Sequence, residues 1–364
     1  MCKRLYRLLS TASVHGTTVH YLTLDAPPKA LDDRVNVHRI PFPCACRAGL
    51  LFWAVFTVWC PIYVAFKARQ LRPEKYVVFG AYYSTMLTLA RMFHKVPTVL
   101  FLRSLVFKVN ALTKKSVCIR YLADLVERHG LRSATKLICM TAAMQRELEE
   151  FLGHPVPNVS ILPNDIPPLI SLEHEAEPQK TVLNNVERLI GEDTFTVLTS
   201  GVIDERKNIG LLLDVFSELG KRYEPSKLLL LVAGDGPLLE HYRSVAVKRA
   251  MRNVLFLSWV PDLSRVYDRT TLVLHPSWHE GIPNSVLEPL GLGLPVLTSN
   301  IPELREVMVY DELLFEADDG PGLATRLEHL VETPEALAEL KRLCEKRRAA
   351  FQFDWEERAL DLIL

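Results

Sequence analysis

The sequence predicts an α/β protein of two doubly wound domains, each built on a parallel sheet. Three observations carry this. Short runs rich in β-branched and aliphatic residues alternate with helix-length segments along most of the 364 residues. A stretch dense in proline and acid breaks that alternation near the middle, after which it begins again. The length suffices for two hydrophobic cores.

In the first half, Thr18–Thr23, Val35–Arg39, Tyr76–Phe79, Thr98–Leu102, Lys136–Met140 and Val159–Leu162 read as short buried strands. Helices lie between them, among them Ala142–Leu152 with Thr141 as its N-cap. Strands in such an alternation form a parallel sheet covered on both faces. These elements make a first domain over 1–168. Pro167, Pro168, Pro178 and neighbouring acids mark the connection, a linker over 169–192. The second domain, 193–352, has strands at Thr194–Thr199, Leu228–Val232, Val254–Leu257, Leu272–Leu274 and Val296–Ser299. Ile209, Leu212, Leu213, Phe216 and Leu219 fall on one face of a helix. Helices run from about Pro321 to the end, and the last, about 353–364, is a candidate to pack back on the first domain.

Forty-three basic residues balance forty-three acidic ones, so a nucleic-acid partner is not favoured. Seven scattered cysteines suggest no disulfide framework, and Cys44 and Cys46 lack a zinc-ligand spacing. A reducing cytoplasm is the simplest compartment. Ala48–Phe66 is uncharged and mostly apolar, with basic residues on both sides. Three readings are open: a membrane span, a wholly buried helix, or a helix that packs on the sheet with one face and touches lipid with the other. The last is favoured, because Tyr76–Phe79 follows at once and belongs to the same sheet as the strands before the run. It makes the protein a peripheral one at the cytosolic face of a membrane.

The most informative stretch is His279–Val296, HEGIPNSVLEPLGLGLPV. Glu280 and Glu288 stand eight positions apart around a loop that opens a helix. Gly281 lets the chain turn, Pro283 restricts it, and Asn284 or Ser285 can cap the helix. N–H groups at a helix start bind phosphate. A glutamate one turn in leans back toward that start, and its two oxygens suit the adjacent hydroxyls of a ribose. Together these describe a nucleoside-diphosphate site.

This segment resembles the signature of the family-4 retaining glycosyltransferases: two glutamates at this spacing, a glycine-containing loop, then Gly293-Leu294-Pro295-Val296. The resemblance implies a GT-B fold, two Rossmann-like domains facing across a cleft, with the acceptor on the first and the nucleotide sugar on the second. It implies that Glu280 contacts the donor sugar and Glu288 the ribose, with Gly281, Ile282, Pro283, Asn284 and Ser285 lining the diphosphate. In the loop Gly201–Asn208, Lys207 matches the family's phosphate-binding lysine, before a helix that Asn208 can cap. Val202 stands where an arginine is usual, and Arg206 is a candidate substitute. Ser258–Pro261 is where the resemblance puts base recognition by backbone groups, with Val260 the candidate contact; Trp259 is open between stacking and packing. Arg103, where a histidine is frequent, either holds an acceptor phosphate or pairs with an acid.

The implied reaction is transfer of a sugar from a nucleotide-diphosphate sugar to a glycan or lipid-linked acceptor, with retention. No metal cofactor is expected; the nucleotide sugar is the co-substrate. The chain starts within what reads as the helix after the family's first strand, so either that strand is lacking or Met1 is not the biological start. With Val202 and Arg103, this keeps open an alternative: a non-catalytic nucleotide-sugar-binding or partner subunit.

Overall fold

The computed structural model describes residues 3–26, 31–44, 49–108, 117–167, 190–191 and 193–364. All but two residues of the expected linker 169–192 lie outside them. In chain order the first elements are α1 (Lys3–Val14), β1 (His20–Thr23), β2 (Asn36–Arg39), α2 (Gly49–Leu71), β3 (Tyr76–Phe79), α3 (Ala81–Ser84) and α4 (Thr88–Phe93). There follow β4 (Thr98–Phe101), α5 (Val117–Arg132), β5 (Lys136–Cys139), α6 (Ala142–Leu152) and β6 (Val159–Ile161). Then come β7 (Phe195–Ser200), α7 (Ile209–Leu219), β8 (Leu228–Ala233), α8 (Leu239–Lys248), β9 (Val254–Ser258), α9 (Ser264–Tyr267), β10 (Leu272–His275) and α10 (Asn284–Gly291). The chain closes with β11 (Val296–Ser299), α11 (Pro302–Met308), β12 (Leu314–Phe315), α12 (Gly320–Glu332), α13 (Pro334–Arg348) and α14 (Trp355–Ile363).

Two compact units result, one of Met1–Pro163 with Asp354–Leu364, the other of Asn164–Phe353. In the first, β3, β4, β5 and β6 form a parallel sheet in that order, with Tyr76 opposite Thr98 and Val99 opposite Lys136. β1 and β2 pair in parallel as a separate two-stranded sheet, His20 opposite Asn36. The single sheet expected from the sequence is thus split in two. The reason is local: β1 bonds β2 and β3 bonds β4, and among the described residues no ladder joins β1 to β3. Thr141 caps α6 as expected, its hydroxyl accepting from the Met144 N–H at 3.0 Å.

α2 is long and apolar enough to cross a membrane by length and composition. Phe56, Cys60, Val64 and Ala68, four apart, make a buried stripe. Ile40, Leu22 and Phe42 pack against Phe56 and Cys60, and the Trp59 indole donates to the Pro41 carbonyl at 2.6 Å. Leu51, Val58, Ile62 and Phe66 are exposed on other faces. The wholly buried reading of this run is therefore wrong: one stripe serves the fold, and an apolar face is left in solvent.

α14 belongs to the first unit. It packs along α1, with Arg7 paired to Glu356 and His15 Nε2 3.0 Å from Glu357. Trp355 is buried beside the Phe101 ring, and Lys75 Nζ donates to the Ile363 carbonyl at 2.6 Å.

The second unit has one six-stranded parallel sheet, ordered β12-β11-β10-β7-β8-β9. β7 and β8 are buried along their whole length, as strands covered on both faces must be. The two-residue edge strand β12 has no counterpart in the sequence reading, because two residues display no period. Ile209, Leu212, Leu213, Phe216 and Leu219 form the buried face of α7.

Candidate donor site in the second unit

Because every strand of this sheet is parallel, the loops leaving β7, β8, β9 and β10 emerge at one edge. Two glycines let them approach. Gly201, directly after β7, has φ 142°, a conformation that L side chains rarely adopt. A Cβ there would lie 2.9 Å from Lys207 Cε, so the glycine leaves room for the lysine to fold over the strand end. Gly234, after β8, has φ 146°, and a Cβ would come within 1.8 Å of the Gly201 carbonyl oxygen. The two loops therefore touch backbone to backbone. The Gly234 N–H donates to the Ser258 carbonyl at 2.7 Å, and the Trp278 N–H to the Arg206 carbonyl at 2.8 Å. Four strand ends are thus tied together.

Lys207 ends a short 3₁₀ turn and is buried, as is Glu280. Its ammonium donates to Glu280 Oε1 at 2.6 Å. The Ser277 hydroxyl donates to the same oxygen at 3.0 Å, and His275 Nε2 lies 3.3 Å from it. Burial pushes the Glu280 carboxyl up; Lys207 and His275 more than offset it, so its pKa lies below the ordinary carboxylate range. Burial and the Lys207 charge push His275 below its ordinary imidazole value, against the raising effect of Glu280. Its other nitrogen, Nδ1, lies 3.3 Å from the Ser285 hydroxyl. His275 thus links Glu280 to the first turn of α10.

Pro283 is the N-cap residue of α10, and no side chain caps the helix. This corrects the expectation for Asn284 and Ser285: both lie inside the first turn, where Ser285 is directed to His275. Gly281 and Ile282 are buried in the preceding loop. The Asn164 amide donates to the Ile282 carbonyl at 2.6 Å, which fixes the loop. Glu288, half-buried in α10, accepts from the Tyr267 hydroxyl at 3.3 Å. Burial and the Glu288 charge push the Tyr267 phenol up, so it stays a donor. Gly293, with φ 76°, takes the left-handed conformation just beyond α10 and lets the chain turn into β11.

Arg206 closes back on its own turn, its Nε and Nη2 donating to Asp204 Oδ2 at 2.9 and 2.8 Å. Asn208 does not cap α7: it sits at φ 49° and its amide donates to the Ala317 carbonyl at 2.8 Å. The backbone supplies that left-handed corner, so the side chain faces away from the helix start. Val202 and Trp259 are exposed and Val260 is half-buried; Trp259 is not a packing residue. Arg103 belongs to the first unit, half-buried two residues after β4. Sequence reading missed His275, Ser277, Tyr267 and Asn164. The first two flank Pro276 at the end of β10, and that position was the only signal for them.

The second unit, a parallel sheet with a lysine, two glutamates and an uncapped helix start at its strand ends, is one half of a GT-B fold. Residues 3–165 match the family model described as glycosyl transferase 4-like domain, and residues 194–333 that described as glycosyl transferases group 1. The chain belongs to the family-4 glycosyltransferases. It is similar to an uncharacterized glycosyltransferase of Methanocaldococcus jannaschii, 26 % identical over 179 residues, or 48 % of this chain and 42 % of that protein. It is also similar to the lipopolysaccharide glucosyltransferase WaaG of Escherichia coli, 26 % identical over 169 residues, 46 % of this chain and 44 % of that one. The chain thus matches less than half the length of these curated relatives. In fold it is similar to the sucrose-phosphate synthase of Thermosynechococcus elongatus, with a TM-score of 0.77 at 17 % identity over 99 % of this chain and 90 % of that one.

Proposed function

We propose that the protein is a retaining, metal-independent glycosyltransferase that moves a sugar from a nucleotide-diphosphate sugar to a glycan or lipid-linked acceptor. It works as a peripheral protein at the cytosolic face of a membrane, which it meets through 48–66. The observation that carries the reading is the buried Lys207–Glu280 pair beside an uncapped helix start from which Glu288 projects.

The roles follow from charge. As the bond from the anomeric carbon to the phosphate oxygen stretches, negative charge builds on the leaving diphosphate. An ammonium has three donors and Glu280 occupies one, so Lys207 holds Glu280 and the phosphate together. The N–H groups around Gly281–Ser285 add donors to the same group, and a preorganised donor of this kind contributes about 10²–10³ in rate. Glu280, kept ionised by Lys207, accepts from sugar hydroxyls. Glu288 accepts from the ribose, with Tyr267 setting its direction. Gly201, Arg206 and Val260 complete the donor side, while Arg103 serves the acceptor or the transferring sugar. The likeness to a lipopolysaccharide glucosyltransferase supports a glycan or lipid-linked acceptor.

The test is a panel of nucleotide sugars in the presence of a chelator. One of them should raise the melting temperature, since binding to the folded state stabilises it, and should slowly release free nucleotide. Proton NMR of the product should show the donor's anomeric configuration. Tight binding without turnover would favour the non-catalytic subunit; no thermal shift with any donor would end both readings.

A further inference from the structure

At the N-terminal edge of the four-stranded sheet in the first unit, a guanidinium is held with no acid beside it. Tyr76 and Thr98 open β3 and β4 and are register partners, so their side chains leave the same face of the sheet. Both are buried. Arg91 of α4, half-buried, meets that corner. Its Nε donates to Thr98 Oγ1 at 3.3 Å and its Nη2 to Ser84 Oγ at 3.3 Å. The Ser133 hydroxyl gives its proton to the Gly130 carbonyl at 2.6 Å, so the buried Ser84 donates to Ser133 at 3.0 Å. Arg91 Nη1 and the Tyr76 hydroxyl are buried and have no hydrogen-bond partner among the described residues. The Thr98 hydroxyl accepts from Arg91, and among the described residues nothing accepts its own proton.

The corner thus has donors in excess and a positive charge without a counterion. Arg7 and Arg206, also half-buried, each meet a carboxylate. Between Asp33 and Asp124 the sequence has one acid, Glu74, and it is exposed. Burial pushes Arg91 below its ordinary value, with the Tyr76 hydroxyl acting the other way, yet a guanidinium keeps its proton. Burial pushes the Tyr76 phenol up, so it too stays a donor. Buried donors and charges left unmatched are costly. A water molecule would accept from one or two of them and leave the charge uncompensated. An anion answers both needs, since it brings acceptors and negative charge and no proton of its own. The walls set its size: Ser84 and Thr98 are 0 and 1 % exposed, so a compact ion suits the corner better than a branched organic one.

We propose that Arg91 and the Tyr76 and Thr98 hydroxyls form a binding site for one small inorganic anion of the size and charge of chloride, which ties α4 to the start of β3 and β4. The site lies at the opposite edge of the sheet from the loop that carries Arg103, so it stands apart from the proposed sugar transfer and does not depend on it. The test dialyses the full chain into potassium gluconate, whose anion is too large for the corner, and replaces it by potassium chloride at constant ionic strength. The melting temperature of wild type should rise by about 2–4 °C as chloride goes from about 1 to about 100 mM, because binding to the folded state stabilises it. The protein should also broaden the chloride NMR resonance. Arg91→Met removes the charge, and Tyr76→Phe removes one donor while keeping the ring and its packing. Each variant should lose most of the rise and of the broadening; where Arg91→Met fails to fold, Tyr76→Phe still decides. A rise of wild-type size in both variants would put the anion elsewhere, and no rise with no broadening in wild type would mean that water fills the corner. Either result overturns the site.

Discussion

Glu280 of the second unit and Glu127 of the first are both buried carboxylates, and their surroundings drive them in opposite directions. Glu280 has Lys207 at 2.6 Å, Ser277 at 3.0 Å and His275 at 3.3 Å, and is held ionised. Among the described residues Glu127 has no such cation. Oε1 accepts the Val106 N–H at 3.0 Å, Phe107 donates to the carboxylate as well, and Oε2 has no hydrogen-bond partner among the described residues. Burial outweighs those backbone bonds, and its pKa is pushed up to about 7. Burial by itself therefore does not decide whether a carboxylate can serve as a charged group; a cation on its oxygen does. The first unit uses its glutamate to hold the loop after β4, which also carries Arg103, while the second keeps one charged beside a candidate phosphate site.

The sharpest way to break this contrast is Lys207→Ala. Removing one partner of a buried pair leaves a lone charge and should destabilise the second unit by about 3–5 kcal/mol. Adding Glu280→Gln should restore part of that loss in urea denaturation. Additive losses in the double variant would mean that the pair is not coupled.

Glu127→Gln tests the other side. A carboxyl raised to about 7 stabilises the fold fully below its unfolded value near 4.5, and that contribution is lost as pH rises through 7. Wild type should lose about 3 kcal/mol relative to Glu127→Gln between pH 5 and 8. Glu280, with its pKa lowered, contributes nothing to that slope, because its stabilisation fades only in stronger acid. Parallel stability curves for the two proteins would show that Glu127 does not titrate in this range.

Smaller effects test the proposed donor site. Glu288→Ala should weaken nucleotide binding by about 1.5–3 kcal/mol in titration calorimetry, and unchanged affinity would remove Glu288 from its assigned place. Tyr267→Phe, which deletes one hydroxyl from Glu288, should cost about 0.5–1.5 kcal/mol in the same titration.

Much of this contrast could not be read from the sequence. Strands were legible to within a residue or two, because apolar runs bounded by turns survive any packing: Tyr76–Phe79 and Val296–Ser299 stand where expected. The Thr141 cap was legible for the same local reason. The pairing of Lys207 with Glu280 joins residues 73 positions apart, and no spacing rule covers that. Capping of α7 and α10 was misjudged, because the backbone conformations at Asn208 and Pro283 direct the side chains elsewhere. The division of the first unit's strands into two sheets was invisible too, since alternation fixes which segments are strands and says nothing of which ones pair.

What the sequence determined alone is the strands other than β12, the glycines at their ends and the two glutamates flanking a helix start, because each follows from local sterics and periodicity. The tertiary structure decided which charge meets which: that Lys207 neutralises Glu280, that His275 and Tyr267 hold the two glutamates, and that Glu127 has no cation among the described residues. Electrostatics inside a protein depends on distances set by packing, and those distances are written nowhere along the chain.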